Sequence, residues 1–300
     1  MSQSFKRLFD NEDPIINSDL FHPRLLDAQE WSVQDVFSIS DQDALSSWNH
    51  LSLSSSVETI APLKAQILKL YPGLLTDQII GFPRLKNVIQ SLASCLQPNQ
   101  TILVITPCHP TIYQSIHQVI PADHIQQLDL NEKNGWELDL NELEKNLKPE
   151  TRFIFFSIPS CPIGVFPHPD HLQSLIQLSR QKGIILISDE MGSLLQRKPG
   201  VVSFSMATSY ENGISLNSMS HSFGMGGLGV HWIACANRDL AVSIHSFREQ
   251  EDMSLSQPSQ FIASLALQSK ELILKCNNAV IAQNLQIAQE VINQHSRQIS

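Results

Sequence analysis

His221 lies in the run Ser218-Met219-Ser220-His221-Ser222-Phe223-Gly224-Met225-Gly226-Gly227-Leu228-Gly229, where hydroxyls and small residues surround one imidazole. An imidazole takes and gives a proton near neutral pH, which is what a general base requires. Ser218 and Ser220 offer hydroxyl donors to an oxyanion; equally, a serine-rich turn spends such hydroxyls on its own backbone. Asp189 closes the apolar run Ile184-Ile185-Leu186-Ile187-Ser188 and is followed by Glu190. A carboxylate there holds a proton or a cationic ring nitrogen, or else caps the turn. Cys161, in Pro159-Ser160-Cys161-Pro162-Ile163-Gly164, is a thiol nucleophile if an imidazole sits beside it and a small buried hydrophobe if not. His109 stands in another proline-marked break, Pro107-Cys108-His109-Pro110.

Each of these segments follows an apolar stretch. Thr101-Ile102-Leu103-Val104-Ile105, Phe153-Ile154-Phe155-Phe156 and Ile184 to Ser188 are continuous rather than alternating, as in strands buried on both faces. Further strands are predicted at Gly213 to Leu216 and Val230 to Ala234. Between them the spacing predicts helices over Ala61 to Leu70, from Ile80 through Leu96, and over Thr111 to Val119, Asn141 to Leu147 and His168 to Gln181. The second of these carries the stripe Leu85, Val88, Ile89, Leu92 and Leu96. A helical tail follows from Pro258 to His295. Strands alternating with helices predict an α/β fold with a mostly parallel central sheet flanked by helices. Ligands of such sheets sit past the carboxyl ends of the strands, where the candidate segments lie.

Composition narrows the partners. A net charge of -9 gives nucleic acid no electrostatic support. No run of about 18 apolar residues predicts a membrane span, and Met1 to Asn11 lacks the pattern of a secretory signal. Five scattered cysteines without a C-x-x-C pair predict neither a zinc site nor a disulfide framework, and place the chain in the cytoplasm. His168 and His171, beside two prolines, read as a solvated helix cap rather than metal ligands.

The run around His221 resembles the cofactor-lysine segment of the class I/II aminotransferases, fold-type I enzymes that use pyridoxal 5'-phosphate (PLP). There the segment reads Ser-x-Ser-Lys, a Gly-rich turn, and an Arg eight residues after the Lys. Four further landmarks follow the family's order. Gly81-Phe82-Pro83-Arg84-Leu85 resembles the Gly-x-x-x-Leu that opens an early helix, and Thr106 to Tyr113 the Pro-x-aromatic-Pro segment. Ser160-Cys161-Pro162-Ile163-Gly164 resembles Asn-Pro-Thr-Gly, and Ser188-Asp189-Glu190-Met191-Gly192 resembles Ser-Asp-Glu-x-Tyr. The resemblance implies the fold-type I architecture: an N-terminal arm over residues 1–50, a large α/β domain over 51–250, and a helical remnant of an incomplete small domain over 251–300. It implies that Asp189 faces the pyridine nitrogen, that Ser218 and Ser220 donate to the phosphate, and that His109 stacks on the ring. Cys161 takes the position of the Asn that bonds the phenolic oxygen. Tyr71 takes that of a Tyr reaching a neighbouring subunit's phosphate.

Against the family pattern, His221 stands at the Schiff-base Lys, Gly229 at the phosphate-clamping Arg and Gly192 at the assisting Tyr. The family places a strand, a Gly-rich turn and a phosphate-binding helix before the strand that starts at Thr101. Between Leu96 and Thr101 no such unit is legible. Neither Arg248 nor Arg297 matches the family's carboxylate clamp. The expectation is a degenerate member without ordinary transaminase activity, acting as a binding protein or as a homodimer or heterodimer partner of an active paralogue. Its cofactor is none, or PLP or its amine form (PMP) held non-covalently. The alternative is an enzyme using His221 as general base, with such a cofactor or with none, on an amino-acid-like or keto substrate.

Overall fold

The computed structural model describes residues 28–56, 58–195 and 204–295. Residues 1–27 of the expected arm, and Arg297, lie outside them. Two short helices open the described chain, α1 (Val33–Ser38) and α2 (Ala44–Asn49). Ser32 starts α1 through a capping box with Asp35. Helix α3 (Ala61–Leu68) follows and buries Leu63 and Ile67.

Seven strands form the central sheet: β1 (Ile79–Phe82), β2 (Thr101–Thr106), β3 (Ile125–Asp129), β4 (Thr151–Ser157), β5 (Ile185–Asp189), β6 (Gly213–Ser218) and β7 (His231–Cys235). Their order is β1-β7-β6-β5-β4-β2-β3. Only β7 runs against the rest, pairing antiparallel with both β1 and β6. Outside this sheet, Ser55–Ser56 pairs antiparallel with Leu255–Ser256.

Side chains alternate across the sheet, and each face is covered by helices. On one face Ile80, Val104, Phe155, Ile187 and Leu216 pack with α4 (Leu85–Ala93), α5 (Pro110–Val119) and α9 (Arg238–Gln250). On the other, Ile154, Phe156 and Leu186 meet α6 (Leu140–Asn146) and α7 (Pro169–Lys182), next to the four-residue α8 (Met206–Ser209). Toward the β1 end of that face, Ile79, Trp232 and Ala234 meet α3 and α10 (Gln257–Gln268). The last helix, α11 (Lys270–His295), buries Ile273, Cys276 and Asn277 near its start; from Ala282 to Gln294 its side chains are exposed. Among the described residues no helix is long and apolar enough to cross a membrane. His168 caps α7 by accepting from the Asp170 N–H through Nδ1.

The predicted helix from Ile80 is corrected at its start. Ile79–Phe82 is strand β1, and the helix begins only at Leu85, after the Pro83-Arg84 turn. Strand, turn and helix therefore stand just before β2, in the order of the unit that was not legible between Leu96 and Thr101. Proline at 83 breaks the helical reading, and β7 takes up the backbone of β1, with Phe82 opposite His231. The apolar pair Ile79-Ile80 fits either period, so spacing did not separate strand from helix there.

Candidate functional site

Strands β2, β4, β5 and β6 deliver their carboxyl ends to one edge of the sheet, as a parallel arrangement requires. A small cleft of about 50 Å³ opens there. His109, Cys161, Asp189 and His221 line it, from three loops and the end of β5. The His109 and His221 rings stand 5.2 Å apart, tilted by 47°. His221 is also held from its backbone, where its carbonyl accepts from the Ala28 N–H at 3.1 Å. Next to it, Ser222 Oγ donates to the Met191 carbonyl at 2.6 Å, and the Asn277 amide of α11 donates to the Ser222 carbonyl at 2.9 Å. Asn277 in turn accepts from the Trp31 indole. The segment carrying His221 is thus pinned on both sides.

Asp189 is buried, and burial pushes its carboxyl up to about 6. Three features oppose that rise: the Met191 N–H, 3.1 Å from Oδ1, the charge of His221, and Ser157 Oγ, 3.4 Å from Oδ2. Cys108 lies near Asp189 and Cys161; burial, with those two charges adding, pushes its thiol up to about 12, so it is not a thiolate nucleophile.

Ser218, Ser220 and Tyr71 do not line this cleft. Ser218 and Ser220 bond each other through their hydroxyls at 2.5 Å, and the Ser220 N–H also donates to Ser218 Oγ at 3.2 Å. Tyr71 lies across the sheet, where its hydroxyl accepts from Trp232 Nε1 at 3.1 Å. Two residues with strongly perturbed chemistry escaped the sequence reading. His231 faces Ser218 across the strand pair, with Nδ1 buried and unpartnered among the described residues. Burial, helped by His221, pushes its imidazole down to about 4, so it is neutral. Glu190 is the second: burial pushes its carboxyl up to about 8. The signal for His231 was strand parity, since alternate residues of β7 point to opposite faces, and Glu190 directly follows the last residue of β5.

The residues present suit one end of a PLP molecule only. Asp189 provides the buried carboxylate for a ring nitrogen. No lysine or arginine is among the described residues lining the cleft. Gly229 adopts φ +59°, and a side chain at that position would start 3.1 Å from the Pro83 carbonyl oxygen. The turn after β1 leads into α4, whose first turn has no side-chain cap, but the two serines that should join it bond each other, which leaves one hydroxyl proton between them. A volume of about 50 Å³ is also well below the roughly 300–1,000 Å³ of small-molecule pockets. The described residues do not fit the coenzyme as a whole.

Comparison with known proteins places this geometry. The profile of the family "Aminotransferase class I and II" matches residues 50–297. A probable aminotransferase of Arabidopsis thaliana is 27% identical over 212 residues, covering 67% of this chain and 45% of its own length. An aspartate aminotransferase of Sulfurisphaera tokodaii is 21% identical over 122 residues, covering 40% of this chain and 31% of its own. The chain spans less than half the length of these curated relatives. Among solved structures, a PLP-dependent aminotransferase from Streptococcus suis superposes with a TM-score of 0.79 at 21% identity, over 90% of this chain and 72% of that one. Aspartate aminotransferase from Thermus thermophilus with maleate gives 0.75 at 15% identity, over 89% and 69%. These likenesses show the same fold, a mostly parallel sheet flanked by helices. With the profile covering most of its length, this chain belongs to the class I and II aminotransferase family.

Proposed function

We propose that this chain is a degenerate aminotransferase that does not transaminate and acts by binding, as a homodimer or as partner to an active paralogue. The observation that carries the reading is His221, an imidazole at the place of the tethering amine, in a cleft lined by no described lysine or arginine. Transamination needs a primary amine that forms and exchanges a Schiff base, and an imidazole has none. Five free thiols accord with a reducing compartment such as the cytoplasm.

The expected result is a colourless protein whose spectrum gains no aldimine band when PLP is added. No amino group passes from any amino acid to a keto acid in its presence. His221→Lys alone does not restore the band, because the phosphate end still has no cationic clamp. Saturable PMP binding lost in Asp189→Asn would overturn the reading. It would favour the second one, in which His221 acts as general base on an amino-acid-like or keto substrate. The close approach of the His109 and His221 rings beside Asp189 supports that alternative. Sedimentation of the chain alone, and mixed with an active paralogue, tests the assembly.

A further inference from the structure

Asp189 ends β5 and Glu190 follows it, and the two line different clefts. Asp189 serves the small cleft described above. Glu190 helps to floor a second and much larger cleft, of about 750 Å³, on the other side. That volume suits a small organic molecule rather than a few waters. Tyr71 and Asn217 share its floor. Lys69, at the end of α3, and Lys270 and Lys275, on α11, stand around it.

Several of the groups lining this space have donors to offer. Tyr71 is 2% exposed, and its hydroxyl accepts from Trp232 Nε1 at 3.1 Å. The phenol keeps its own O–H to give. Burial pushes that phenol far above its ordinary range, so it keeps the proton. Glu190 Oε1 accepts from the Met206 N–H at 2.8 Å and from Ser215 Oγ at 2.7 Å. The ammonium groups of Lys69 and Lys270 each use one N–H, on Gln66 and Glu271 respectively, and retain others. Two carboxylates, Glu190 and Glu271, line the cleft among the described residues against three ammonium groups, and burial favours the protonated form of Glu190. Donors around a cavity with a positive rim select a ligand made of anionic acceptors.

We propose that this cleft binds a phosphorylated small molecule, its phosphoryl oxygens between Lys270 and Lys275 and an acceptor on its organic part at the Tyr71 hydroxyl. The site is separate from the Asp189 cleft and does not depend on whether a coenzyme binds there.

Titration calorimetry with the whole chain tests it, using inorganic pyrophosphate and ADP as probes. Neither carries an aldehyde, so no Schiff base confuses the readout. Saturable binding is expected for both, tighter for ADP because the cavity holds more than the anion. The double variant Lys270→Gln/Lys275→Gln weakens both at least tenfold. Lys182→Gln makes a single-charge change on α7, outside the cleft lining, and leaves binding within twofold. Lys270→Arg, which keeps the charge, also retains it. Tyr71→Phe, with its fold checked by circular dichroism, weakens ADP several-fold more than pyrophosphate. Asp189→Asn leaves both unchanged, which separates this site from the other cleft. Lack of saturable binding overturns the proposal. So does equal weakening by Lys182→Gln, or a self-associated form that excludes both probes.

Discussion

Replacing Gly224 by alanine lowers the stability of the chain by about 2–4 kcal/mol, the sum expected of a left-handed backbone and a backbone overlap. Gly224 has φ +71°, a conformation that costs a side chain energy by itself. A methyl group built there overlaps the Gln29 carbonyl oxygen, so the segment Ala28 to Trp31 must also move. That segment supplies the N–H that holds the His221 carbonyl and the indole that bonds Asn277. The loss therefore reaches the imidazole of the small cleft through the backbone. Gly227→Ala is the control: it lies in the same turn, its φ is not positive, and nothing lies within 4 Å of its added methyl. Chemical denaturation of the two variants decides the matter. Gly224→Ala shifts the midpoint clearly and exposes the 28–32 peptide to protease, whereas Gly227→Ala stays within about 0.5 kcal/mol of the parent. Equal effects would mean that the arm is not held by this contact.

Glu190→Gln raises stability at pH 8.5 and leaves it almost unchanged at pH 4. The carboxyl of Glu190 has an ordinary value of 4.5 and is pushed up to about 8 by burial in the folded chain. The unfolded chain gives up this proton first. Stability contributed by the protonated carboxyl is therefore full below about 4.5, falls as pH rises toward about 8, and is level beyond it. At about 1.4 kcal/mol per unit, the loss is at most ~5 kcal/mol. Asp189, raised from 3.8 to about 6, works in the same direction over a lower window. His231 works oppositely: pushed from 6.5 down to about 4, it favours folding while neutral and costs stability as pH falls through that interval. Glutamine keeps the oxygen that accepts from Met206 and Ser215 and has no proton to lose. Thermal melts across pH 4 to 9 should show a flatter alkaline limb in the variant. A limb parallel to the parent's would show that Glu190 is not the buried acid assigned here.

What could be read from the sequence was set by burial. β2, β4 and β5 are buried on both faces and announced themselves as unbroken apolar runs. β3 is an edge strand with alternating exposure, and its residues Ile125-Gln126-Gln127-Leu128-Asp129 carry too few apolar side chains to stand out. β1 was hidden by its neighbour, since the stripe of α4 was extended backward through Pro83. The convergence of His109, Cys161, Asp189 and His221 was anticipated because each follows a parallel strand, and the ends of parallel strands share one edge. Tyr71 was assigned to a neighbouring subunit's phosphate by resemblance alone, and within this chain the Trp232 indole that holds it across the sheet comes from residues far along the sequence. Such a long-range pairing leaves no local pattern. The mutual bond of Ser218 and Ser220 is likewise invisible to spacing, which counts hydroxyls without showing what they face.

Helix α11 changes character along its length. Ile273, Cys276 and Asn277 lock its first turns into the body, while the residues from Ala282 to Gln294 touch little besides solvent. A helix without a packed face is marginal in water, because tertiary contact supplies most of what holds it. In heavy water, amides of the first turns should wait for the whole body to open before exchanging deuterium, whereas those beyond Ala282 should exchange through fraying. The protection profile would then step down within one continuous rod, and the step would mark where the body's grip on it ends.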